Sequence, residues 1–329
     1  MSTPIGIVPR LVLLGASAVF VLTWSAGFIL PKIVTAEAPV PTILFWRFLI
    51  AGSILALGIG WLRLRRGALS RPAWSDIRPH LAIGLFAQVG YVLPIYLAVG
   101  AGVASGTTAL IDAVQPLVVA TLVGPLLGMR VRGLQWVGLV LGAVGVALVV
   151  MTDAATMQTP SPAYLLPLVS LASLVTATFL ERRSTTRLSV FATMVTHGAV
   201  GLAALSILAA ATGTLAPPAS AAFWISTVAI AVVPTLIAYA LYWYLLRRLG
   251  ITVLNALLYL VAPTTAVIGA VLFDEPFTAA TMAGLVLGGI AVALVIAPER
   301  AGRRGAGASE KQISESAPRN DPRPGIPSR

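Results

Sequence analysis

The stretch Gln135–Val150, QWVGLVLGAVGVALVV, occurs twice in this chain. It returns at Thr281–Ile296 as TMAGLVLGGIAVALVI, with nine of the sixteen positions identical and no gap. Leu139, Val140 and Leu141 match Leu285, Val286 and Leu287, and the flanking Gly138 and Gly142 match Gly284 and Gly288. The copies lie 146 residues apart, far beyond the period of a solenoid repeat. Two copies of something large have been joined.

The whole chain shares the apolar character of these two helices. Of 329 residues, 58% are hydrophobic and 10% charged, with a mean hydropathy of +0.93. A soluble domain carries about 25% charged residues, so this composition cannot cover a water-exposed surface. Apolar runs such as Leu11–Pro31 and Ala279–Ala297 match the roughly 20 residues that cross a hydrocarbon core. The reading is an all-α, polytopic integral membrane protein. Arginine far outnumbers lysine, and Ala, Gly and Val abound, as in GC-rich bacterial genomes.

Ten transmembrane helices are predicted, at 11–31, 40–62, 79–99, 102–127, 133–152, 163–181, 190–211, 222–246, 251–273 and 278–297, since a lipid-facing backbone must satisfy its own hydrogen bonds. The first resembles a signal peptide, with Arg10 before it and Ala36-Glu37-Ala38 after it. Its apolar run exceeds the roughly 7–15 residues of a signal core, so it is read as a retained helix. With the N-terminus (1–10) in the cytoplasm, the arginines near residues 63–78, at 130 and 132, at 182–187, at 247 and 248, and in the tail all fall inside. Of the 22 basic residues only Lys32 and Arg47 fall elsewhere, which satisfies the positive-inside rule. The +11 net charge thus reports membrane orientation and no nucleic-acid partner. The tail, 298–329, is rich in Pro, Gly, Ser and Arg and reads as a disordered cytoplasmic segment.

The domains are a first five-helix repeat at 11–152 and a second at 163–297. Five is odd, so the second copy crosses the bilayer inverted. The charges agree: the arginine-rich second loop has an uncharged counterpart near Gly213–Ala221, and Arg130 and Arg132 are answered by Asp274 and Glu275. Inverted repeats let two halves exchange conformations around a central site, the architecture of alternating access.

At this point the chain resembles the EamA-like family of the drug/metabolite transporter superfamily. The residues that carry the likeness are Trp24-Ser25-Ala26-Gly27-Phe28, Arg47-Phe48, Pro116, Gly138, Gly142, Pro263, Asp274-Glu275-Pro276, Gly284 and Gly288. It implies ten helices in two inverted repeats, with a cavity built largely from helices three, four, eight and nine. It also implies a scaffold or dimer-facing role for the fifth and tenth helices, hence room for a homodimer. One departure stands out: the family's acidic residue after the glycine ending helix four is replaced here by Met129, which follows Gly128.

The candidate site rests on polar stripes. Ser105, Thr108, Asp112 and Gln115 share one face of helix four. Aligning Pro116 with Pro263 places Thr252, Asn255, Tyr259 and Ala262 on the matching face of helix nine, so Asp112 is expected opposite Tyr259. Asp112 lies about 14 Å deep at roughly 1.5 Å per residue, where a carboxylate costs about 2.5–3.5 kcal/mol and faces a cavity or a partner. Its roles are substrate or proton handling, or a structural one, paired with Arg47 or hydrogen-bonded to the backbone of helix five. Arg47 itself reads as packing and anchoring, long enough to snorkel outward. His197 could relay protons, though one histidine in an apolar helix is more often a hydrogen-bonded core residue. Trp24, Gln88, Tyr91, Tyr239, Tyr242 and Trp243 form an aromatic constellation suited to a small amphipathic or aromatic ligand. Pro116 and Pro263 form a matched hinge pair.

The absence of cysteine excludes disulfides and thiolate chemistry, and neither a metal nor a cofactor is expected. Without a Walker A motif, ATP does not drive the protein directly. An integral-membrane enzyme is disfavoured by the lack of H-E-x-x-H and G-x-S-x-G. The leading expectation is a secondary carrier exporting small organic solutes, with protons as a coupling ion. An uncoupled facilitator or lipid-translocating protein is the alternative.

Overall fold

In a computed structural model, residues 7–66, 72–127, 133–156, 161–186 and 188–296 are described. Among them there is no strand, and each apolar segment marked in the sequence is helical. The rods are α1 Ile7–Val34, α2 Val40–Arg66, α3 Trp74–Gly100, α4 Ser105–Ala113 continued by Gln115–Leu127, and α5 Gly133–Thr156. They continue with α6 Leu165–Arg183, α7 Val190–Ala211, α8 Ala221–Gly250, α9 Val253–Phe273 and α10 Ala279–Ile296. Nine described helices, α1–α9, are long and apolar enough to cross a bilayer, while the apolar stretch of α10, Ala279–Leu294, is shorter. Gly128, Met129, Arg130, Arg132, Arg187 and the tail 298–329, on which part of the orientation reading rests, lie outside the described residues.

The boundaries shift where local chemistry extends a helix. α3 begins at Trp74, well before residue 79, and Asp76 in its first turn complements the helix dipole. Asp76 and Arg78 therefore belong to the helix and not to the loop. α8 opens on Ser220, whose hydroxyl accepts the N–H of Phe223 at 3.1 Å, and α7 on Ser189, which caps Ala192 in the same way.

Apolar side chains cover the outside as well as the inside. Ile207, Ile225 and Val271 are 71%, 71% and 74% exposed on their helices, which water would penalise and acyl chains would not. The interior holds Phe20, Phe28, Ile43, Leu44, Tyr96, Leu205, Phe223 and Leu254, all buried.

Two backbone contacts lock the rods in pairs. A Cβ on Gly145 of α5 would stand 2.7 Å from the carbonyl oxygen of Gly284 in α10, and one on Gly284 would stand 2.6 Å from that of Gly145. The repeated helices thus pack on one another through their small residues within one chain. Likewise, a Cβ on Gly106 of α4 would stand 2.8 Å from Cα of Ala266 in α9, so α4 and α9 touch backbone to backbone.

α3 and α8, the third helix of each half, are broken in corresponding places. Leu85–Gly90 and Val233–Ile237 are π-helical turns, and the turns leading out of these helices pass through Gly102 and Gly250 with φ of 101° and 77°, a region that glycine enters without penalty. In α8 the cause is visible. Pro234 has no N–H to give the Ile230 carbonyl, and the Thr235 hydroxyl donates to it instead at 2.8 Å.

Candidate functional site

The two π turns flank a cavity of about 470 Å³, its open mouth included, lined by Trp24, Gly27 and Phe28 of α1, Arg47 of α2, Gln88, Tyr91 and Tyr96 of α3, and Pro234 and Tyr239 of α8. Its aromatic wall is the Trp24–Tyr239 stack, with ring centroids 5.7 Å apart at 28°. Gly27 brings α1 against the π turn of α8: a Cβ there would meet Pro234 at 3.4 Å.

Arg47 is the charged wall. It is 6% exposed. Nε donates to Thr235 Oγ1 at 3.0 Å, and Nη1 donates to the Tyr96 hydroxyl at 2.9 Å. The guanidinium also lies 5.5 Å from the Tyr96 ring centroid and 5.6 Å from that of Phe48. The expected snorkelling anchor is therefore wrong: the side chain turns inward, because the broken helix α8 offers it a hydroxyl acceptor there. The Asp112 pairing is wrong as well. Asp112 instead accepts the Tyr91 hydroxyl on Oδ2 at 3.3 Å, and its Oδ1 is buried without a partner. Asp112 thus stands behind Tyr91, one hydrogen bond away from the cavity surface.

A family model described as the EamA-like transporter family matches residues 11–151 and again 161–297. The chain belongs to the EamA-like transporter family. It is a multi-pass membrane protein, and the two matches fall on its two repeats. No curated protein matches it. A solved structure titled "Crystal structure of protein" superposes on 87% of this chain and 97% of its own, with a TM-score of 0.56 at 22% identity, a likeness of fold alone.

In this EamA-like chain the polar stripe of α4 does not line the cavity as a unit. Ser105 is bound to Glu275: its N–H reaches both carboxylate oxygens at 3.1 and 3.0 Å and its hydroxyl reaches Oε1 at 3.1 Å. Thr108 turns back to the Ala104 carbonyl, and Gln115 donates to Thr178 of α6 at 3.1 Å. Tyr259 points away from Asp112, donating to the Leu285 carbonyl of α10 while its ring lies against Gly288 and Gly289. Asn255 is half-buried outside the cavity lining. The side chain of Thr252 lies outside what is described. The physical reason is the Gly106–Ala266 contact: α4 and α9 touch there, so α1 and α2 take the places in the wall expected of them. Tyr242 packs on Phe20 and Trp24, and Trp243 meets Tyr242 edge to face, so neither lines the cavity. Pro116 follows the break at Val114 that divides α4, and Pro263 lies within an unbroken stretch of α9.

Three clusters lay beyond sequence reasoning. One is the Thr235–Arg47–Tyr96 chain, whose only signal was a hydroxyl residue following Pro234. Another is the clamp on the N-terminus of α4. There Asp153 Oδ2 accepts the Ala104 N–H at 3.1 Å, and Glu275 holds Ser105 while pairing with Lys32 at 2.6 Å. Two carboxylates at a helix N-terminus satisfy orphan donors and meet the positive end of the dipole. The third is a histidine pair: the rings of His197 and His80 lie tilted to one another with centroids 5.6 Å apart, and Nε2 of the buried His197 has no described partner. Among the described residues no group of three or more His, Asp or Glu is set to hold a metal ion.

Proposed function

We propose that this EamA-like chain is a secondary-active transporter exporting small organic metabolites or drugs across the bacterial inner membrane. It works by alternating access around the Trp24–Tyr239 cavity. The observation that carries the reading is the pairing of π turns: the cavity is bounded by those at Leu85–Gly90 and Val233–Ile237, in the third helix of each half. π turns gather at functional sites, and the centre of two repeats is where transporters of this architecture bind their cargo.

In this reading the second repeat is inverted, α10 is a tenth span, and both termini face the cytoplasm. The odd number of helices per repeat and the arginine distribution support that arrangement. Asp112, deep in the bundle and half partnered, is the group on which proton coupling would rest. Purified protein in liposomes tests the proposal. A panel of amphipathic solutes is expected to yield at least one whose flux rises with an imposed pH gradient. Flux that ignores every gradient would mean an uncoupled facilitator, and no flux of any solute would sink the transporter reading.

A further inference from the structure

Arg47 is a buried cation that no described side chain neutralises. Its bonds go to two hydroxyls, Thr235 and Tyr96. The buried carboxylates of the bundle are engaged elsewhere: Asp112 with Tyr91, Asp153 with Ala104, and Glu275 with Lys32 and Ser105. Hydroxyls solvate a guanidinium but do not cancel its charge, and a buried charge without a counter-ion is costly. The fork is also only half used. Nε and one hydrogen of Nη1 are committed, which leaves both hydrogens of Nη2 and the second hydrogen of Nη1 without a described partner along the outer edge of the fork. That edge is the one a carboxylate bridges with two parallel bonds, and Arg47 lines the cavity.

We propose that the cavity takes a small organic monoanion, its carboxylate docked on the outer edge of Arg47 and its aromatic or apolar body laid against the Trp24–Tyr239 stack. This rests on the cavity being the transport site and names the class of its cargo. The body follows from the wall: two stacked rings with Phe28, Val92 and Ile95 beside them offer apolar contact and few polar groups. A single negative charge follows from Asp112. The carboxylate behind the Tyr91 hydroxyl repels a second anionic group, while Tyr91, its hydroxyl hydrogen already bonded to Asp112, has none left to donate. A cationic ligand fares worse, since the charge that lines the cavity is the guanidinium and Asp112 is not part of the lining.

The test uses three ligands of one shape: indole-3-acetate, its neutral amide and the cationic tryptamine. Their dissociation constants for the full-length protein in lipid nanodiscs are measured by calorimetry. The acid is expected to bind about tenfold or more tighter than the amide, as for a charge-assisted pair, with tryptamine weakest. Arg47→Met is expected to bring the acid down to the affinity of the amide and leave the amide within about twofold. Arg47→Lys, which keeps the charge and loses the fork, should fall between. If Arg47→Met does not accumulate, the wild-type ranking decides alone. Equal affinities, tightest binding of tryptamine, or no binding of the acid would each overturn the proposal. In proteoliposomes, flux of the amide or the amine with no binding of the acid leaves the transporter reading standing and removes the anion site. An acid that binds as predicted but never crosses does the reverse.

Discussion

The Lys32 ammonium rests 2.6 Å from Oε1 of Glu275, and the same carboxylate takes both the N–H and the hydroxyl of Ser105. One side chain therefore ties α1, the start of α4 and the α9–α10 turn together. Gly269 makes room for it, since a Cβ at that position would strike the Glu275 carboxylate.

Breaking this clamp should be costly and non-additive. Lys32→Met or Glu275→Gln alone is expected to lose about 2–4 kcal/mol, because each leaves a largely buried partner unpaired. The double variant should show a coupling of about 1–3 kcal/mol. Thermal unfolding of the four proteins in detergent checks it. Strict additivity would mean that the pair is incidental.

The glycine contacts make a contrast that one assay can read. Gly145→Ala and Gly284→Ala must push α5 and α10 apart, at a cost of about 1–3 kcal/mol. Gly52→Ala and Gly58→Ala in α2 meet nothing within 4 Å, and are expected to be neutral or to stabilise by about 0.4–1 kcal/mol. Four equal melting temperatures would contradict the backbone contact.

If protons couple through Asp112, Asp112→Asn should abolish pH-gradient-driven uptake while exchange of labelled substrate survives. Tyr91→Phe strips Asp112 Oδ2 of its donor and should cost about 1–3 kcal/mol of stability. Loss of Asp112→Asn from the membrane would mark the residue as structural.

Tyr259→Phe removes a hydroxyl that serves α9–α10 packing. It is expected to cost about 1 kcal/mol and to leave transport kinetics unchanged. A changed KM would return Tyr259 to the site from which its orientation excludes it.

Helix existence was legible because a span needs an apolar run, and a run needs no partner to be recognised. That α5 and α10 pack closely was legible from their recurring small residues, but their partner was not: the contact runs between Gly145 and Gly284 within one chain, where the sequence offered a scaffold or dimer-facing role. Side-chain destinations were not legible either. Ser105 and Asp112 share a helix face, yet Ser105 is claimed by a carboxylate 170 positions along the chain. Arg47 looked free to reach outward until Pro234 broke α8 and left Thr235 facing it. Tyr259 occupies the predicted register, but a rotamer choice sends its ring to Gly288. Face periodicity constrains where a side chain starts and says little about where a long one ends.

The π turns carry an evolutionary consequence. A π turn is what an α-helix becomes when one residue is inserted and the rest of the rod stays in place, the surplus absorbed as a bulge. Removing one residue from 85–90 or from 233–237 should let the helix close its ladder and swing everything beyond by about 100°. Tyr91 and Tyr96, or Tyr239, would then face lipid or neighbouring rods. The recognition surface therefore depends on two single-residue insertions as much as on the identity of the residues it displays.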